Sequence, residues 1–303
     1  MAAPVVVLAG GTGGAKLARG LLDVCGEDLV AIVNTGDDIE IHGAYVSPDP
    51  DLVTFWLADR IDERGWGLRD DTFHVMDGLR ELGVDVWFNL GDRDLAIGLR
   101  RAERLAAGAT LTETIADVAG AFGVRARVLP MADAPVRTRV LARGRWLDFQ
   151  EFMIREGGAG PVDGVEYSGI EAASPPAAAL EAIAGARAII IGPSNPVISI
   201  RPILAVPGLA DAIRAAPAPV IGVSPVVGGT IVKGPTEPFM TWLGRPLSAT
   251  GVAAAYEGLL DAMVADEPVE GLRHVVTDTL MTDAASRRRV AEAALSLAEP
   301  QAP

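Results

Sequence analysis

Several short segments of this chain combine glycine, aspartate, serine and asparagine where an apolar run ends. Gly10-Gly11-Thr12-Gly13-Gly14 separates such a run from a helical stretch. Glycines allow close backbone approach to a ligand, and a helix N-terminus presents free N–H groups to an anion. The spacing fits no Walker A loop. It also misses G-x-G-x-x-G, because Lys16 falls where the third glycine or alanine belongs. Asn34-Thr35-Gly36-Asp37-Asp38 carries adjacent acids suited to a metal or a hydroxyl-rich ligand. Ser47-Pro48-Asp49-Pro50-Asp51 can turn both carboxylates to one side, and Mg²⁺ takes one or two carboxylates plus phosphate oxygens and water. In Asn89-Leu90-Gly91-Asp92-Arg93-Asp94 the arginine suits a phosphate. Gly192-Pro193-Ser194-Asn195-Pro196 and Ser224-Pro225 with Gly228-Gly229 place polar groups in proline-stiffened turns.

Each segment also has a structural reading. Gly10 to Gly14 can be a tight turn, and Asp51, Asp92 and Asp94 can cap the helices that follow them. Three histidines, His42, His74 and His274, are too scattered for a His-rich metal site. There is no Gly-x-Ser-x-Gly elbow. Cys25, the only cysteine, excludes an internal disulfide and a Cys-based zinc site, and its setting is a hydrophobic helix.

The elements that must position these segments are legible in the apolar pattern. Pro4–Ala9, Leu29–Val33, Val86–Leu90, Ala188–Ile191 and Pro219–Val223 read as strands, with a weaker one at His274–Thr277. Asp71–Leu82, Leu95–Ala106, Leu111–Phe122, Pro176–Ala184, Gly208–Ala215, Thr250–Met263 and Ala284–Leu297 read as helices. Thr110 and Glu113 form a capping-box pattern ahead of the third of these. Arg137–Phe149, with Arg143-Gly144-Arg145 at its centre, reads as a hairpin. The opening strand–turn–helix–strand is a βαβ unit. The expected fold is therefore α/β and Rossmann-like. It has a mostly parallel sheet, helices on both faces, and a smaller middle subregion near residues 60–185 within a single domain.

Half of the 303 residues are hydrophobic and 22% are charged, which excludes a disordered chain. The net charge of −14 argues against nucleic acid or an anionic membrane as partner. Lysine is confined to Lys16 and Lys233. No apolar run is long enough to cross a membrane, and the N-terminus lacks a basic signal-peptide region, so the expected compartment is the cytoplasm.

LAGGTGGAKL, VNTGDD, SPDPD, NLGDRD, LPMAD, GPSNPVISI, VIGVSPVVGG and DTLMTD, in this order over nearly the whole chain, resemble the 2-phospho-L-lactate transferase family of coenzyme F-420 biosynthesis. That family includes phosphoenolpyruvate-type transferases. The resemblance implies a homodimeric, Mg²⁺-dependent enzyme. Its donor is a guanosine diphosphate ester of a three-carbon acid, its acceptor a deazaflavin alcohol, and GMP leaves. It implies deazaflavin contacts at Asp51 and Asn89, where some members carry lysine in place of Asn89. Asp51 then orients or deprotonates the acceptor hydroxyl, and Arg93 offsets phosphoryl charge. Asp49 and Asp51, with Asp37 or Asp38, are the expected Mg²⁺ ligands. Gly10, Gly11, Thr12, Gly13, Gly14, Ser194 and Asn195 are expected on the nucleotide. The competing expectation is a non-catalytic nucleotide-sugar-binding regulator of the same fold superfamily. Such regulators tend to carry a Gly- and Ser-rich stretch where this chain has Ile39-Glu40-Ile41-His42-Gly43.

Overall fold

A computed structural model describes residues 3–256 and 258–299. Its main sheet has the strands β1 (Val5–Ala9), β2 (Leu29–Val33), β3 (Arg127–Pro130), β4 (Ala188–Ile191), β5 (Val220–Val223), β6 (Ala262–Ala265) and β7 (Arg273–Val276). Their spatial order is β7-β6-β5-β4-β1-β2-β3, and every pairing is parallel. The β-branched runs VVVLA, LVAIV and AIII are buried at every position, as strands covered on both faces must be.

Alternate residues serve opposite layers. Val6, Leu8, Ile32, Ile189 and Ile191 pack with the helices Ala177–Ala184, Leu209–Ala215 and Ala249–Ala255. Val5, Val7, Ala31, Val33 and Ile190 pack with α1 (Gly11–Cys25), α2 (Pro48–Leu57) and the C-terminal helix Ala284–Ala298. Each fully buried valine, leucine or isoleucine contributes about 1.5–3 kcal/mol. β1 has β2 on one side and β4 on the other, so strand order reverses there and opens a crevice at the strand carboxyl ends.

The expected fold class is the observed one, but two local expectations are corrected and one strand is added. Val86–Leu90 forms no strand; it is extended chain whose Phe88 and Leu90 fill a small satellite core with Met76, Val46 and Leu95. Its apolar residues alternate because one side of a loop is buried, not because a ladder forms. The helix expected over Thr250–Met263 ends at Ala255, and Gly258, with φ 67°, turns the chain into β6. The alanine-rich run hid that strand because its residues suit either state. Strand β3 was unforeseen; Pro130 closes it at the sheet edge, where a missing N–H is tolerated.

The expected hairpin is present. Arg137–Ala142 pairs with Arg145–Asp148 through a two-residue turn at Arg143 (φ 52°) and Gly144 (φ 75°), and Gly164–Ser168 adds a third strand. Thr110 and Glu113 form the anticipated capping box of the helix Leu111–Ala121. Among the described residues no single helix is long and apolar enough to cross a membrane.

Candidate active site

A cleft of about 350 Å³ lies over the strand carboxyl ends, within the range of small-molecule sites. Its floor is the turn after β1, where Gly10, Gly11, Thr12 and Gly13 line it, and Pro193, Ser194 and Asn195 follow from β4. Asp37 enters from beyond β2, Ser224 from beyond β5, and Thr279, Leu280 and Met281 from beyond β7. Phe149 and Met153 supply an apolar side.

The glycines are fixed by close packing. Gly11 has φ 62°, and its N–H donates to Asp49 Oδ1 at 2.7 Å. A Cβ on Gly13 would overlap the Pro193 carbonyl, and one on Gly14 would stand 2.8 Å from Ser194 Oγ. Ser194 Oγ donates to the Gly10 carbonyl at 2.7 Å. The β1 and β4 turns are thus locked together, which explains why both are glycine- and proline-rich. Asn195 Oδ1 accepts from the backbone N–H of Val197 and Ile198, so it caps the helical turn Pro196–Ile200. Its amide nitrogen stands 3.4 Å from Thr236 Oγ1 at the cleft wall.

The acids divide into two groups. Asp49 accepts from Gly11 and from Asn34 Nδ2 at 2.9 Å, and Asn34 Oδ1 in turn accepts from Gly36 N–H. Burial pushes the Asp49 carboxyl up to about 6. Burial and then the nearby Asp49 charge hold Asp37 well above the usual carboxylate range, and Asp37 Oδ1 is buried with no hydrogen-bond partner. Asp38, raised to about 7 by burial, accepts from Ser47 Oγ at 2.8 Å.

Asp51, two residues after Asp49, points elsewhere. On α2 this spacing turns the two carboxylates apart rather than to one side. Asp51 accepts both guanidinium nitrogens of Arg101, one at 3.0 Å, and Arg101 is 2% exposed. Arg101 belongs to α4 (Asp92–Ala106) and also donates to the Tyr45 carbonyl. Asp51, Asn89 and Arg93 are not among the cleft's walls. Asn89 is exposed and accepts from Arg80, while Arg93 reaches the Arg69 carbonyl at 3.3 Å. Asp92 accepts from His74 and Val75 N–H and caps the helix α3 (His74–Glu81), and Asp71 caps α4 through Arg93 N–H. The GDRD segment therefore joins α3 to α4, with Asp94 facing Asp51 and Asp71; burial and these two charges raise Asp94 to about 7.

Sequence reasoning passed over Lys16 and Lys233, which both line the cleft. Lys16 Nζ donates to the Met281 carbonyl at 2.8 Å and stands 5.8 Å from the Trp56 ring centroid. Burial lowers both lysines, and Arg287 and Lys233 lower Lys16 further. For Lys16 the available signal was its place at the end of the glycine segment, and for Lys233 only the scarcity of lysine in an acidic chain.

The family model of the 2-phospho-L-lactate transferase CofD matches residues 5–294, with the cleft-lining segments inside the match. The chain belongs to this transferase family. It is 39% identical to a phosphoenolpyruvate transferase of Kitasatospora aureofaciens, over 97% of this chain and 98% of that one. It is 37% identical to a 2-phospho-L-lactate transferase of Methanosarcina barkeri, over the same shares. A solved UPF0052-family protein of Bacillus halodurans shares the fold, with TM-score 0.65 and 18% identity, covering 97% of this chain and 99% of that one. Membership makes the chain a transferase of the 2-phospho-L-lactate and phosphoenolpyruvate type, in line with coenzyme F-420 biosynthesis.

Proposed function

We propose that the chain moves a phospho-three-carbon-acid group from a guanosine diphosphate ester to a deazaflavin alcohol, releasing GMP. The observation that carries this reading is a single cleft lined by a glycine-rich helix start, Asp37 and the chain's two lysines. Such a set suits a diphosphate, and phosphoryl transfer asks a protein mainly for positioning and charge compensation.

Asp37 and Asp49 fit Mg²⁺. Their carboxylates repel one another, and Asp37 Oδ1 has no partner. Among the described residues no group of three or more metal-binding side chains exists, so phosphate oxygens and water must complete the shell. When bound, Mg²⁺ offsets charge on the transferring phosphoryl group.

The chain's own residues do the remaining work. The helix start at Thr12 to Gly14 offers N–H groups to the diphosphate, the Gly11 N–H being held by Asp49, and Ser194 fixes the shape of that turn. The acceptor approaches from the α2–α4 side, near Asp51, whose side chain is 14% exposed. Asp51 orients the acceptor hydroxyl, with its carboxylate held by Arg101. Asn89 and Arg93 serve the acceptor only after leaving Arg80 and the Arg69 carbonyl.

The test is a transfer assay with the deazaflavin alcohol, Mg²⁺ and, in turn, the lactate, enolpyruvate and glycerate esters of guanosine diphosphate, read by product mass. Product with one donor supports the reading. Nucleotide binding without deazaflavin binding or turnover replaces it with a non-catalytic regulator.

A further inference from the structure

The cleft carries opposite charge at its two ends. Asp37 follows β2, on one side of β1, while Lys16 is tied to Met281, which follows β7 at the far edge of the sheet. An acidic wall accepts phosphate only through a cation, whereas a lysine accepts it directly. The diphosphate therefore meets two different environments along the crevice.

Lys16 and Lys233 repel one another, and neither has a carboxylate partner among the described residues. Lys16 spends one N–H on the Met281 carbonyl and faces Trp56, whose ring Arg287 also covers at 5.2 Å. Lys233 makes no hydrogen bond or ion pair among the described residues, although burial by the cleft lowers its pKa. It rides on a strap after the short hairpin Val226–Val227/Thr230–Ile231, with positive φ at Gly228, Gly229 and Gly234. Lys16 is partly buried and Lys233 exposed, and both line one cleft with no counter-anion among the described residues, so each can take an anionic ligand there.

We propose that Lys16 and Lys233 form the subsite for the phosphate that leaves with the nucleoside. This rests on the transferase reading above. The acceptor oxygen bonds to the phosphorus that carries the three-carbon acid, and the bridging P–O bond breaks. The electron pair stays on the bridging oxygen, now part of the nucleoside monophosphate, and the acceptor proton is released to solvent. Charge thus builds on the leaving phosphate, and ammonium groups placed there offset it as it develops. Lys16 is anchored on α1 and to the Met281 carbonyl; Lys233 is carried by the glycine-bounded strap and holds no bond of its own among the described residues.

The experiment is titration calorimetry of GMP, guanosine and inorganic pyrophosphate against the wild-type chain, Lys16→Met, Lys233→Met and Lys233→Arg. Loss of a charge-assisted contact weakens GMP by about tenfold or more in each Met variant, with guanosine unchanged and Lys233→Arg close to wild type. Lys233→Met keeps the wild-type melting temperature, because Lys233 holds no structural bond. Unchanged GMP affinity in both Met variants overturns the proposal. So does equal weakening of GMP and guanosine, or a wild-type chain that binds none of the three. Lysine-dependent pyrophosphate binding without GMP binding upholds the subsite and removes the guanosine donor instead.

Discussion

Arg101 and Asp51 form a buried bidentate pair that ties α4 to α2, with the guanidinium 2% exposed and also bound to the Tyr45 carbonyl. The residue that the family pattern places at the acceptor is thus also a structural tie. Breaking one side of such a pair strands the other charge in the interior. Asp51→Asn and Arg101→Met each lower unfolding free energy by about 3–5 kcal/mol in urea titrations, and Asp51→Leu/Arg101→Met recovers part of that loss. An Asp51→Asn chain of wild-type stability, changed only in acceptor saturation, would falsify this tie.

The proposed Mg²⁺ site makes Asp37 the residue to test against divalent metal. Burial and Asp49 keep its carboxyl protonated more readily than an ordinary aspartate, so ionising it strains the metal-free fold. Asp37→Asn raises the melting temperature without Mg²⁺ by a few degrees. It abolishes the additional stabilisation that Mg²⁺ gives in the presence of GDP. A full Mg²⁺ response in the variant excludes Asp37 as a ligand.

Asp94 gives a pH signature. Burial, Asp51 and Asp71 raise it to about 7, above its unfolded value, so the folded state holds a proton there that the unfolded chain releases. Its contribution is fully present below about pH 4 and is lost as pH rises through 7. Asp94→Asn mimics the protonated form. The variant therefore gains melting temperature over wild type at pH 8, by a few degrees, and the gain shrinks at pH 5. Equal differences at both pH values show that Asp94 does not titrate in this window.

Gly13→Ala sets a methyl group against the Pro193 carbonyl, so the β1 and β4 turns must separate. Overpacking of this kind costs about 1–3 kcal/mol. The same displacement moves the Gly11 N–H and Ser194, and GMP affinity in calorimetry falls with stability. Gly120→Ala, also within a helix, without positive φ and with open space around its Cβ position, serves as the control for the substitution without overlap. Nucleotide affinity that survives Gly13→Ala places the phosphates away from this turn.

The sequence by itself determined the α/β class, the βαβ opening, β1, β2, β4, β5, the Arg137–Asp148 hairpin and the Thr110 cap. These rest on local rules: continuous β-branched runs, turn glycines and a capping pair within four residues. The motif segments that line the cleft were legible too, because strand ends in a parallel sheet converge on one crevice. Tertiary structure alone decided where side chains point. Asp49 and Asp51 were read as one ligand pair, yet the twist of the helix that carries both turns their carboxylates apart, and Arg101, 50 residues along the chain, claims the second. Asp92 was read as a cap of the helix that follows it, and it instead caps α3, which precedes it; Asn195, read toward the nucleotide, also caps the turn beside it. Lys16 closes the glycine motif, but Lys233 lies far from it in sequence and carries no motif, so only the tertiary fold brings both into one cleft. Spacing encodes the backbone that hydrogen bonding will allow, but the partner of a charge is chosen by whichever buried group must otherwise lose water unpaired.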